Sequence, residues 1–194
     1  FPETKRLFSV PDSAAQFSEL SEDQTSGRLS FTESIYLLDR TAHKALPENR
    51  TIIFYNLSEN FIYHRPEQAV DLNSGVICFP DNFEGIKETD IIQVRVTHLA
   101  NYNLWRNAYE DEDKALYKTM KTHWTERSKE VVGKIIGNYS KNIVYEDTFT
   151  PVTVERYTSR SQGAVYGSPE KIKDVVGSML SGVTMVNQHI LNKI

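Results

Sequence analysis

Ile91-Ile-Gln-Val-Arg-Val-Thr-His98 sends Ile92, Val94 and Val96 to one side of an extended chain and Gln93, Arg95 and Thr97 to the other. Strand side chains alternate with a period of two, so this stretch demands a sheet with one apolar face on a core. Its other face looks at solvent or at a ligand, solvent being the default. Leu29 to Leu38 begins with the same alternation and then turns continuously apolar, which predicts a second strand with a half-buried start. Thr51-Ile-Ile-Phe-Tyr55 is β-branched and aromatic, Gly75-Val-Ile-Cys-Phe79 is a short apolar run stopped by Pro80, and Ile143-Val-Tyr145 is a third short strand signal.

Helical periodicity sits between and after these runs. Acidic residues Glu110 to Asp113 open a helix expected over 111–136, with Leu116, Met120, Trp124 and Val131 as its apolar stripe and Gly137 as its stop. Lys118, Lys121, Glu126 and Lys129 read as its solvated face. Asn101 to Arg106 reads as a polar-aromatic connector. Thr150-Pro151 begins a brief helix, threonine as cap and proline in the first turn. A last helix is expected from Val175 to Leu191, with Met179, Val183, Val186 and Ile190 as its apolar stripe, and a short one after Pro11. The expected fold is α+β: a mixed, mostly antiparallel sheet from residues 29–98 and 143–145, with the 111–136 helix and the final helix packed on one face.

The chain has 194 residues, 39% of them hydrophobic, enough for one core or one domain with a small appendage. A net charge of −4 argues against a nucleic-acid partner, which calls for a basic face. Cys78 is the single cysteine, so no intramolecular disulfide and no cysteine-based zinc cluster forms; with no signal-peptide pattern, the expectation is a reducing, cytoplasmic setting and an inert buried thiol. No run of eighteen apolar residues occurs. The five histidines (43, 64, 98, 123 and 189) show no metal-ligand spacing, and His123 beside Trp124 reads as structural. There is no Gly-x-Ser-x-Gly elbow, no His-Glu-x-x-His and no phosphate loop ending in Gly-Lys-Ser/Thr. Any redox chemistry therefore belongs to a cofactor.

The stretch Tyr157 to Pro169 concentrates the remaining signals: Gly163 and Gly167, which permit unusual backbone angles and close approach, and Tyr157 and Tyr166, whose flat faces suit a pocket around an aromatic or polyene group. On chemistry alone, a surface turn is the stronger reading of that loop.

Thr150-Pro-Val-Thr-Val-Glu-Arg-Tyr157, followed by Gln162-Gly-Ala-Val-Tyr-Gly167, resembles the late part of the phytoene dehydrogenase-related, FAD-dependent oxidoreductases, which are amine-oxidase-like flavoproteins. Val176-Gly-Ser-Met-Leu-Ser-Gly182 is similar to that family's last motif, and Phe79-Pro80 and Ile91 to Trp105 to its middle strands. The resemblance spans residues 75 to 192 and is specific in the two glycine motifs.

It implies a substrate-binding domain over residues 1–174 and a C-terminal helix over 175–194 that contacts the flavin, with Gly163, Ala164, Tyr166 and Gly167 lining the ring and Gly177 and Ser178 facing its carbonyl edge. Free N–H groups and the positive dipole end at that helix start would favour an electron-rich reduced flavin. The implied substrate is a hydrophobic, carotenoid-like polyene, which would bring the parent protein into peripheral contact with a membrane. The catalytic base is not singled out. The family's Gly-x-Gly-x-x-Gly nucleotide-binding unit is absent from the sequence, and Lys171 to Asp174 runs directly into Val175, where the family has a further strand and glycine loop. The chain is thus expected to be a fragment of a longer flavoprotein, binding no FAD and catalysing nothing by itself. The competing expectation is a non-catalytic lipid- or prenyl-binding module built on the same sheet and helices.

Overall fold

The computed structural model describes residues 29–47, 50–60, 64–86, 89–110 and 114–165. Five strands, β1 (Ser30–Asp39), β2 (Ile52–Asn56), β3 (Ser74–Cys78), β4 (Ile91–Ala100) and β5 (Ile143–Phe149), form one sheet in the order β2-β3-β4-β1-β5. Every pairing is antiparallel. Three helices accompany it: α1 (Tyr102–Glu110), α2 (Ala115–Ile136) and α3 (Pro151–Thr158). The architecture is α+β, as the alternating runs predict. The helices expected after Pro11 and from Val175 lie outside the described residues.

The central pair β1 and β4 runs in unbroken register from Ser30↔Ala100 to Asp39↔Ile91. Its burial alternates strictly along β1, so Ser30, Thr32, Ser34, Tyr36 and Leu38 face inward and Phe31, Glu33, Ile35 and Leu37 face outward. Along β4, Ile92, Val94, Val96 and His98 face inward. The inner face packs with Val132 and Ile136 of α2, and with Tyr139 just beyond it, into the larger core cluster. A second cluster, at the end of the sheet, gathers Ala69, Val70, Ala100, Trp105 and Val152 around α1 and α3.

Three local assignments differ from the sequence reading. Residues 102–110 are helical rather than a connector, and the signal was Asn101, whose side-chain oxygen accepts from the Asn103 N–H at 3.1 Å, an N-cap arrangement. In α2 the buried positions are Thr125, Ser128, Val132 and Ile136, not the Leu116-Met120-Trp124-Val131 stripe, and Leu116 is 52% exposed. The reason is a polar strip on the sheet: the Thr148 hydroxyl bonds to Ser34 Oγ at 2.9 Å and to Thr125 Oγ1 at 2.7 Å. Matching that strip rotates the helix, and Met120 and Trp124 turn to the second cluster instead. Lys121 and Lys129, expected in solvent, reach β5 and pair with Asp147 at 2.6 Å and Glu146 at 2.7 Å.

Thr150 caps α3 as the sequence predicts. Its side chain accepts from the Thr153 N–H, Thr153 reciprocates, and Pro151 occupies the first turn. Trp105, fully buried with its indole N–H donating to the Ala69 carbonyl at 3.0 Å, ties α1 to the segment before β3. Trp105→Ala is expected to cost about 3–5 kcal/mol through the cavity and the orphaned carbonyl, read as a lowered urea midpoint. A loss under about 1 kcal/mol would show that the second cluster does not hold the fold.

Candidate functional site

The outer face of the sheet is organised in cross-strand rows. Phe54, Val76, Thr97, Glu33 and Phe149 follow one another across it, as do Ile52, Cys78, Arg95, Ile35 and Asp147 in the next row. Neither core cluster includes any of these residues. The centre of the face is half-buried, whereas its β2 margin is open, with Phe54 78% exposed. Arg95 and Glu33 form an ion pair at 2.6 Å in the middle of the face. Cys78 lies on this half-buried surface rather than in the core, and burial pushes its thiol pKa up, Arg95 opposing. A raised pKa leaves less thiolate to react, and the expected burial of Cys78 in the core gives way to a half-buried place on the outer face.

The loop after α3 follows a different logic. Ser159, with φ +56°, ends α3, and Gln162, with φ +57°, and Gly163, with φ +60°, bend the chain through a 3-10 turn at Ser161–Gly163. Gly163 is buried, and a Cβ there would fall on the Pro151 carbonyl, so both its backbone angle and its packing require glycine. Ala164 is buried and bridges to Ser30 at the start of β1. These two predicted cofactor residues thus come together at the α3 start and the sheet margin. Tyr166, Gly167, Gly177 and Ser178 lie outside the described residues. Tyr157, offered as a pocket wall, is 78% exposed.

Side chains from three segments of the chain, Arg65, Tyr102 with Arg106, and Glu155, hold this loop. Arg65 Nη2 donates to Gln162 Oε1 at 2.6 Å, the Gln162 N–H donates to Glu155 Oε1 at 3.0 Å, and the other Glu155 oxygen accepts from the Tyr102 hydroxyl at 2.6 Å and from Arg106 at 3.3 Å. Burial, with the carboxylate of Glu155 beside it, pushes the Tyr102 pKa up to about 12, so its phenol remains a donor. None of Arg65, Tyr102 or Glu155 was singled out from the sequence. No spacing rule links residues 97 positions apart, as Arg65 and Gln162 are.

A polar pair, His98 buried and Tyr55 half-buried, occupies the far side of the inner face. Tyr55 and His98 share a hydrogen bond of 2.6 Å between the phenol and Nε2. Gly75, directly opposite Tyr55 on β3, makes room for them: a Cβ at Gly75 would stand 2.9 Å from both side chains. Burial lowers the His98 pKa to about 4, with the Asp71 carboxylate opposing, and burial raises that of Tyr55. The imidazole is therefore neutral and the phenol protonated at pH 7. Beside Asp71 opens a cavity of about 590 Å³ lined by residues such as His64, Ser74, His123, Trp124 and Arg127. His123 packs edge-on to Trp124, with ring centroids 5.2 Å apart. The polar and charged lining makes this cavity unlike the apolar pocket that a polyene needs.

Among the described residues no group of three or more His, Cys, Asp or Glu is placed to hold a metal ion, and no helix is long and apolar enough to cross a membrane. The chain matches no family model and no curated protein.

Unfolded His98 titrates near its ordinary 6.5, whereas in the fold it titrates near 4. Between those values only the unfolded chain takes up the proton, so stability is fullest above about pH 6.5 and falls as pH drops toward 4, by about 3 kcal/mol in all. Urea midpoints from pH 7.5 to 4 should fall more steeply for the native chain than for His98→Gln. Equal slopes would show that His98 is not held neutral by the fold.

Proposed function

We propose that this chain is the substrate-side portion of an FAD-dependent oxidoreductase of the phytoene dehydrogenase-related kind, walling a pocket for a hydrophobic, carotenoid-like substrate beside the flavin. The observation that carries the reading is the two-sided sheet: its inner face is packed by α2, while its outer face carries Ile35, Leu37 and Val76, which among the described residues lie outside both core clusters. A half-buried face that sets apolar side chains around the Arg95–Glu33 pair and ends in an exposed aromatic margin is the surface along which a long polyene would lie. The α3 start and the loop through Gly163 and Ala164 adjoin the Ser30 end of the same sheet, so in this reading the flavin-lining segment implied by the resemblance would stand next to that wall.

In this reading, Gly163, Ala164, Tyr166 and Gly167 line the flavin ring, and Gly177 and Ser178 meet its carbonyl edge. A bound flavin supplies the hydride-accepting centre. The chain's own part is to position the substrate and exclude water, and we assign it no catalytic base. FAD binding and turnover belong to a longer parent protein, and the substrate's apolar character would draw that parent to a membrane surface.

One observation favours the non-catalytic lipid- or prenyl-binding alternative: Gly163 has a packing reason of its own at Pro151, independent of any cofactor. Replacing Gly163 would disturb the loop itself, so it cannot separate the two readings. A longer protein containing this chain separates them by its absorbance spectrum: flavin bands as purified, or on adding FAD, support the oxidoreductase, and their absence in both cases favours the carrier.

The wall itself is testable on the present chain. Leu37 pairs across to Gln93 and Tyr145 on the outer face, and Leu37→Lys places a charge there. The native chain should enhance the fluorescence of cis-parinaric acid, a linear polyene, and Leu37→Lys should weaken its binding about tenfold with an unchanged far-ultraviolet circular dichroism spectrum. Equal affinity in both proteins would remove the outer face as the substrate wall.

A further inference from the structure

The outer face changes character across its width. Its margins are apolar, with Ile52 and Phe54 on β2 and Leu37 and Phe149 on β1 and β5, whereas its centre sets Arg95 of β4 beside Glu33 of β1. The pair is joined through a single oxygen. Arg95 Nε and Nη2 both reach Glu33 Oε1 at 2.6 Å, and among the described residues neither Glu33 Oε2 nor Arg95 Nη1 has a hydrogen-bond partner. Their direct cross-strand neighbours, Thr97, Phe149, Cys78 and Ile35, carry no charge. Both side chains are partly open to solvent. A hydrocarbon laid over the pair would strip its hydration and return no hydrogen bond, a cost that opposes binding.

We propose that Arg95 and Glu33 together hold a hydroxyl group of the outer-face ligand, so that the substrate is a polyene alcohol rather than a hydrocarbon. The proposal rests on the outer face being the substrate wall and adds to that reading the polar group that the substrate carries. The two open atoms differ in kind, and the difference selects the group. A hydroxyl accepts from Arg95 Nη1 and donates to Glu33 Oε2, satisfying both at once. A carbonyl or an ester accepts but has nothing to donate, which leaves the carboxylate oxygen dry. A carboxylate is drawn to Arg95 and repelled by Glu33, and an ammonium has the opposite fault. The pair selects and orients the ligand by these contacts and moves no proton. A site built to pair with a hydroxyl discriminates strongly against the analogue that lacks one.

The test uses the 194-residue chain and one linear tetraene with three end groups: cis-parinaryl alcohol, cis-parinaric acid and its methyl ester, each titrated by fluorescence enhancement. The alcohol should bind about tenfold tighter than the ester, although the ester is the more apolar, and tighter than the acid. This order is read on the native chain and so does not depend on how any variant folds. In the double variant Arg95→Met with Glu33→Met, apolar side chains replace the pair, and alcohol and ester should bind alike. Equal affinity of alcohol and ester for the native chain, both weakened by Leu37→Lys, would leave the wall standing and overturn the hydroxyl contact. An alcohol preference that persists in a folded double variant would overturn it as well. If the acid binds tightest and loses its advantage in Arg95→Met, Arg95 is a carboxylate contact and the hydroxyl assignment falls. No enhancement with any of the three would remove wall and contact together.

Discussion

The pairing of β1 with β4 governs the rest of the structure, because ten consecutive residue pairs in one register commit both strands to a single division of inner and outer side chains. A slip of one residue would move Tyr36, Leu38, Val94 and Val96 from the core to the opposite face, so the hydrophobic term locks the register. Once it is locked, β3 and β5 can add only with Ile77 and Thr148 pointing inward. The outer rows follow without further choice: Val76 falls beside Thr97, Cys78 beside Arg95, and Phe149 beside Glu33. What the outer face offers a ligand is thus a by-product of how the inner face is buried.

That inner face is not uniformly apolar, and its polar part shapes the helical layer. Ser34, Thr148 and Thr125 link hydroxyl to hydroxyl, Thr125 Oγ1 also donates to the Lys121 carbonyl at 2.8 Å, and the Tyr36 phenol reaches the Thr125 carbonyl at 3.3 Å. Each buried hydroxyl in the line has a partner, which offsets its desolvation and fixes α2 against one position on the sheet. At the other side of the face, Tyr55 and His98 settle the same problem as a neutral pair set over Gly75, an aromatic ring covering the glycine opposite it. The sheet therefore carries a central apolar band between two satisfied polar patches.

The sheet was legible in the sequence because a period of two survives in each strand independently of its neighbours: the runs at 29–38, 51–55, 75–79 and 91–98 all match strands to within two residues at each end. The cap of α3 was legible for the same reason, being a local device of Thr150, Pro151 and Thr153. The burial face of α2 was not, because Leu116 and Met120 look like core from their own chemistry, and only the Thr148 strip on a distant strand explains why Thr125 is buried instead. α1 was missed through the weight given to its polar and aromatic residues over the capping role of Asn101. Of the candidate site, the sequence marked Gly163 and Ala164. The side chains that hold their loop, Arg65, Glu155 and Tyr102, meet only through the tertiary fold.

The central claim is that the outer face is a surface for a hydrophobic ligand, and Cys78, the single cysteine of the chain, lies within it. The most direct measurement is the alkylation rate of Cys78 by N-ethylmaleimide in the folded chain, with and without saturating cis-parinaric acid. A polyene lying along the Ile52–Cys78–Arg95–Ile35 row should slow the reaction several-fold, roughly in proportion to the fraction bound. An unchanged rate at full occupancy would place the ligand elsewhere and contradict the account.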